Sequence, residues 1–226
     1  MSSIILAIET SGTICSVALS YNNTIVENRN EGINSHSSTL HVLIDQLIKK
    51  ENIPYSALEA IVLSKGPGSY TGLRIGSSTV KGLCVALNKP MIAIASHESM
   101  LYDETINLSL YDVIFCATDA RRDEVYLTIF NNKRITLAPT QSVVLEGTNP
   151  TDAYIDKKIL IIGSGAHKFE KYRNNFMEIL DSDCLSAENL VQPAISAFAK
   201  KRFEDIHHFE PYYLKQFYTT QKPLSF

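Results

Sequence analysis

IILAIETSGTICSVALSYNN, residues 4–23, has a counterpart later in the chain: VIFCATDARRDEVYLTIFNN, residues 113–132. Each segment is an apolar strand with an acidic residue near its end (Glu9, Asp119), a short turn, a second alternating strand and an Asn-Asn pair. Runs of this length and pattern read as strands. Each Asn-Asn turn leads to a third strand-like run, Thr24-Ile25-Val26 in the first copy and Arg134-Ile135-Thr136-Leu137 in the second. Ile4 to Val113 and Asn23 to Asn132 both differ by 109 positions, so a constant offset relates the copies, with the two acids one position out of step. A period this long is not a solenoid. It predicts one domain used twice, each sheet beginning with a β-meander.

The rest of the chain supplies helices for both sheets. A helix is predicted over 35–50, with Leu40, Leu43, Leu47 and Ile48 on one stripe and Ser35 as its cap. A strand follows at 60–64, a helix at 71–87, and a strand at 91–94 opened by Pro90. A linking segment covers 97–112. In the second copy a strand at 158–162 precedes a Gly163-Ser164-Gly165 turn, a helix near 166–174 and a long helix near 187–204. The order implies an α/β fold of mixed sheets with helices on their faces. The expected division is an N-terminal lobe, 1–104, joined by the C-terminal segment 206–226, and a smaller lobe, 105–205.

GPGSYTGLRIG, residues 66–76, sits between strand 60–64 and helix 71–87. Strand, Gly-rich turn, helix is the layout of a phosphate cradle. The Gly-Lys-Ser/Thr ending of a P-loop is missing, because Leu73-Arg74-Ile75 follows. Gly72 and Gly76 lie four apart and share one helix face. A bare face invites another backbone, either the chain's own or a partner's.

At 226 residues, 45% hydrophobic and 20% charged, the chain has the composition of a globular protein. Its net charge of −3 argues against gripping nucleic acid alone, since phosphate contacts need cations. Cys15, Cys84, Cys116 and Cys184 are dispersed, with no CxxC pair, which fits buried thiols in a reducing compartment. The N-terminal apolar run lacks a basic segment and is broken by Glu9, so neither a signal peptide nor a membrane span is expected and the cytoplasm is the default.

The duplicated strand–acid–turn–strand resembles the actin/Hsp70/sugar-kinase fold, whose two RNase H-like lobes clamp a nucleotide. ILAIETSGTICSVAL, the His36-Ser37 pair, GPGSYTGLRIG, DARRDEVY at 119–126 and Pro211-Tyr212-Tyr213-Leu214-Lys215 together resemble the TsaB (YeaZ) family. The departures are Glu9 for the usual Asp, Tyr70 for Phe, Lys215 for Arg, and a weak match over 133–157. The resemblance implies a non-catalytic subunit in tRNA threonylcarbamoyladenosine synthesis. Its partner would be the TsaD transferase, docked through the N-terminal lobe helices, with the TsaE ATPase in the larger complex. It further implies that ATP and metal reside on those partners, none being bound by this chain alone, that tRNA is met only through the complex, and that homodimers occur.

The residues bear on that implication. His97 lacks a second histidine at i+4, where Leu101 stands, and reads as a cap or surface residue. His36 and His41 diverge around a helix by about 140°. His207 and His208 are adjacent and point apart. No G-x-S-x-G elbow or H-E-x-x-H motif supports a peptidase. For a nucleotide, Thr10, Ser11 and Gly12 form the one small turn able to admit phosphates, whereas Ala120-Arg121-Arg122-Asp123 is bulky and charged. An active ATPase or kinase is the rival reading, and a metallopeptidase a weaker one. What remains is a surface: Leu40, Leu43 and Leu47 on one helix with Gly72, Arg74, Gly76 and Val80 on the other form the expected partner interface, while Leu83 and Leu87 are expected to cover their own sheet.

Overall fold

The computed structural model describes residues 3–21, 24–30, 36–182 and 184–215, with 28–30 and 36–38 through the backbone alone. The expected cap Ser35, the first Asn-Asn turn, the side chains of His36 and Ser37 and the tail from 216 onward lie outside the described residues.

The first sheet comprises β1 (Ile5–Glu9), β2 (Cys15–Tyr21), β3 (Thr24–Asn30), β4 (Ala60–Ser64) and β5 (Met91–Ile94). The second comprises β6 (Val113–Asp119), β7 (Glu124–Asn131), β8 (Thr136–Val144), β9 (Ile159–Ile162) and β10 (Met177–Leu180). Their orders, β3-β2-β1-β4-β5 and β8-β7-β6-β9-β10, are the same wiring. In each, the first three strands form an antiparallel meander and the last two run parallel to the first. The α/β, actin-like architecture of two RNase H-like lobes is therefore present.

The offset between copies is not constant. Leu6 and Ile8 face the same layer of the first lobe as Phe115 and Ala117 do in the second, a shift of 109. Cys15, Val17 and Leu19 correspond to Val125, Leu127 and Ile129, a shift of 110. Side chains alternate faces along a strand, so holding 109 through β7 would turn Glu124, Tyr126 and Thr128 into the core. The extra residue sits in the turn that carries Arg121 and Arg122: Glu9 pairs with Ser16, whereas Thr118 pairs with Tyr126.

Helices α1 (His36–Lys50) and α2 (Tyr70–Leu87) cover one face of the first sheet. Ser69 caps α2 by accepting the Gly72 amide at 3.2 Å, and Asn88, left-handed at φ 51°, ends it. The short α3 (Ser96–Met100) lies within the expected linking segment. The predicted long helix 187–204 is a 3₁₀ turn, Glu188–Leu190, followed by α4 (Val191–Ala199), and Lys201, left-handed at φ 53°, lies just past its end. α4 packs on the other face of the first sheet, where Ala7, Ala18 and Ala60 meet Ala187, Ala194 and Ala197. Small residues on both sides bring helix and sheet close. The chain thus rejoins the first lobe near 187, well before 206, and Glu204 bonds back to Met91 at 2.9 Å.

In the second lobe the predicted helix 166–174 is a 3₁₀ segment, Ala166–Tyr172. Its buried residues, Ala166 and Phe169, are three apart, the spacing at which 3₁₀ side chains align. β10 was absent from the sequence reading, being a four-residue edge strand without full burial.

Candidate functional site

The carboxyl ends of β1 and β4 and the start of α3 converge on three serines. Ser11, Ser64 and Ser96 form a triangle of hydroxyls, with 3.0 Å between Ser64 and Ser11, 2.7 Å between Ser64 and Ser96, and 3.0 Å between Ser96 and Ser11. Glu9 Oε1 accepts both the Ser11 amide and its hydroxyl at 2.6 Å. All four residues are buried. The three hydroxyls and Glu9 Oε1 satisfy one another, which makes these polar atoms tolerable in a buried place.

The Gly-rich turn closes over this cluster. The Ser69 amide donates to Ser11 O at 2.7 Å, and Thr10 Oγ1 donates to Gly72 O at 2.8 Å. A Cβ on Gly68 would lie 2.4 Å from Ser11 O, and one on Gly72 only 1.9 Å from Thr10 O. On Gly76 it would lie 2.3 Å from Thr10 Oγ1. The bare glycine face therefore serves the chain's own first hairpin. Gly72 and Gly76 are bare to admit Thr10, which corrects their placement at a partner interface. Leu40, Leu43, Leu47 and Val80 are likewise at most 5% exposed and belong to the chain's own core, because the sheet beneath α1 and α2 needs all of them. Of the expected interface set only Arg74 is exposed. Leu83 and Leu87 pack against that same core, as expected.

In the expected phosphate turn the first two residues are taken up in the same way. Thr10 and Ser11 are buried against α2, and Gly12 is half-buried. The second lobe repeats the arrangement. Gly163, at φ 107°, would place a Cβ 2.3 Å from Ala117 O, and the Gly165 amide donates to Ala117 O at 3.0 Å. Ser164 Oγ accepts the Asp119 amide at 3.2 Å. Partial burial pushes the Asp119 carboxyl up, but the Lys168 ammonium at 2.6 Å and the Arg121 amide pull it further down, so it stays below its ordinary value. In both lobes the Gly-rich turn after the parallel strand is pressed onto the end of the first strand.

His97 is the residue that sequence reasoning misplaced. It is buried, with Nδ1 2.6 Å from Thr128 Oγ1 and Nε2 2.8 Å from Thr118 Oγ1. Burial drives its pKa down to about 3, so the ring is neutral. It ties α3, which follows the first sheet, to β6 and β7 of the second. The signal available was a pair of threonines on one face of β6 and β7, diagonal to each other with Thr118 opposite Tyr126 and Thr128 opposite Cys116, legible only once the register is known. Both ring nitrogens being engaged by threonines, His97 is no base for the serine triangle, and a serine nucleophile needs one. Among the described residues no group of three or more His, Cys, Asp or Glu side chains could hold a metal. A cleft of about 390 Å³ opens beside the first hairpin, and Glu27, Asp103, Glu104 and Glu188 line it. Its carboxylates make a field that opposes a polyphosphate.

The chain is similar to known proteins over most of its length. A family model described as TsaD, tRNA N6-adenosine threonylcarbamoyltransferase, matches residues 19–148. A tRNA threonylcarbamoyladenosine biosynthesis protein TsaB of Bacillus subtilis (strain 168) is 29% identical over 220 residues, covering 93% of this chain and 93% of that protein. A crystal structure from Pseudomonas aeruginosa, described as an uncharacterized protein with similarity to peptidase YEAZ, superposes with a TM-score of 0.82 at 27% identity, covering 94% of this chain and 100% of that one. YeaZ from Pseudomonas aeruginosa gives 0.78 at 26% identity, with 94% and 100% covered.

Proposed function

Because this chain belongs to the family of the TsaD model and, within it, to the TsaB/YeaZ family, we propose that it is the non-catalytic subunit that binds and activates a TsaD-type transferase. Its role lies in tRNA threonylcarbamoyladenosine biosynthesis. In the proposed reading the transfer is to the adenosine next to the anticodon in tRNAs reading codons that begin with A. A TsaE-type ATPase joins the pair, and ATP and metal are held by the partners in the cytoplasm.

One observation supports the reading: the Gly-rich turn of each lobe is given over to the chain's own packing, at Gly72 against Thr10 and at Gly163 against Ala117. A fold whose Gly-rich turns serve its own packing has surfaces left to offer. The outward side of α2 presents Arg74, Ser78, Gly82 and Val85, and α1 leaves Val42 exposed. Val42 is 50% and Val85 64% exposed. A Cβ on Gly82 would meet nothing within 4 Å, so the chain itself has no need of a glycine there, although a mid-helix glycine costs about 1 kcal/mol against alanine. We therefore move the interface from the buried stripe to this outer one, and in the absence of the transferase the same face is open to a second copy.

The test is sedimentation of the chain mixed with its cognate TsaD-type subunit. A stable heterodimer is expected. Gly82→Arg should keep the melting temperature and lose assembly, and a normal heterodimer with that variant removes the proposed face. For the rival ATPase or kinase reading, titration calorimetry of the chain with Mg-ATP decides: micromolar binding abolished by Gly12→Glu would favour the rival.

A further inference from the structure

The β6–β7 turn holds two consecutive arginines in the left-handed region, Arg121 at φ 71° and Arg122 at φ 49°. Glycine or asparagine relieves such backbone, so a chain that keeps arginine at both positions keeps it against local preference. The turn is also where the second copy carries its extra residue.

The surroundings leave both guanidiniums available. Every acid of the turn is taken by a lysine: Asp119 by Lys168 at 2.6 Å, Asp123 by Lys171 at 3.9 Å, and Glu124 by Lys215. Both arginines are exposed, and among the described residues neither side chain has an ion-pair or hydrogen-bond partner. Aromatic rings stand on the strand that follows the turn and on the tail that Lys215 anchors to Glu124. Tyr126 shares its strand face with Glu124 and lines a notch of about 60 Å³ with Tyr70, Tyr213 and Lys215. The Tyr70 and Tyr213 rings are 4.8 Å apart, and the Arg74 guanidinium lies 4.3 Å from the Tyr70 ring centre.

We infer that the Arg121–Arg122 turn and the adjoining tyrosines form a contact surface for an RNA strand, the arginines on phosphates and the rings against unstacked bases. Guanidiniums together with half-buried aromatic rings suit phosphate and base together, which an acidic protein loop does not require. The notch is too small to enclose a nucleotide, so the rings offer a platform for a polymer passing over the surface. With a net charge of −3 the chain holds RNA weakly by itself, and the surface acts on a tRNA that the assembly has already gathered. The inference rests on the proposed function.

The double variant Arg121→Asn/Arg122→Gly removes both cations and relaxes the turn. Binding of an unmodified tRNA transcript is measured on the assembled heterodimer across a salt series. Affinity at low salt should fall on the order of tenfold, and the slope of log affinity against log salt should become shallower by about 1.5. The melting temperature of the free variant should rise by about 2–4 °C. Unchanged RNA affinity in a normally assembled variant overturns the inference. Loss of heterodimer assembly in a variant that keeps its melting temperature also overturns it, by assigning the arginines to a protein partner. Failure of the wild-type chain to assemble with the transferase would count against the functional reading instead.

Discussion

The two lobes share one strand order and differ in what covers it. Over the first sheet lie α1 and α2, of 15 and 18 residues. At the same two places in the second lobe stand 3₁₀ segments of 5 and 7 residues, Pro150–Tyr154 and Ala166–Tyr172. The cores follow the covers. Beneath α1 and α2 the buried residues are Leu, Ile, Val, Cys and Met, with Phe209 the one buried aromatic in that cluster. Beneath the 3₁₀ segments Phe115 meets Tyr154 at 5.7 Å and Phe169 at 6.0 Å, and Phe169 meets Tyr172 at 6.4 Å, all edge-to-face. Short covers bring fewer side chains, so each must be larger. Wiring is fixed by backbone hydrogen bonds, whereas a covering layer can shrink wherever rings replace the lost apolar area. That the long helices persist only in the first lobe is what an external role for α2 requires.

The comparison breaks most easily at Phe169. It is fully buried, and a helix of ordinary length would share its burden among several residues. Phe169→Ala should cost about 3–5 kcal/mol in denaturant unfolding. A loss below about 1 kcal/mol would mean that the aromatic core is not what replaces the missing helices.

Much of this was legible in the sequence, for a physical reason. Central strands covered on both sides read as continuous apolar runs, so β1, β4, β6 and β9 announce themselves, and turn residues mark their ends. The doubled meander was visible for the same reason. Register was not: a single inserted residue at the Arg121–Arg122 turn changes which side of β7 is buried, and composition hardly registers it. The interface was misread because Leu40 and Val80 satisfy a helical stripe whether the stripe meets a sheet or a neighbour. Gly72 and Gly82 look alike in sequence, yet one lies against Thr10 and the other faces open space. His97 went astray because burial by a second lobe is a long-range property.

That histidine is the seam between the lobes, and its removal sharpens their separation. His97→Gln leaves Thr118 or Thr128 short of a partner in a buried site, at about 1–3 kcal/mol near neutral pH. The pH dependence is diagnostic. The folded pKa, about 3, lies below the ordinary 6.5, so the unfolded chain binds a proton that the native one refuses. The stability that neutral His97 supplies is complete above pH 6.5 and declines as pH falls toward 3, by about 1.4 kcal/mol per pH unit. In the variant that single-proton slope should vanish from unfolding free energies measured at successive pH values. An unchanged slope would mean that the ring is not held neutral by the second lobe.

The smallest effect separates the two kinds of glycine within α2. Gly82→Ala adds a Cβ that meets nothing and lowers the entropy of the unfolded chain, so the free protein should gain about 0.5–1 kcal/mol. The same change at Gly72 would drive a Cβ to 1.9 Å from Thr10 O and destabilise the lobe. If Gly82→Ala stabilises the free chain while weakening its heterodimer, the bareness of that turn of helix serves an external contact. If it strengthens both, α2 keeps its length for its own sheet, and the contrast between the lobes reduces to packing alone.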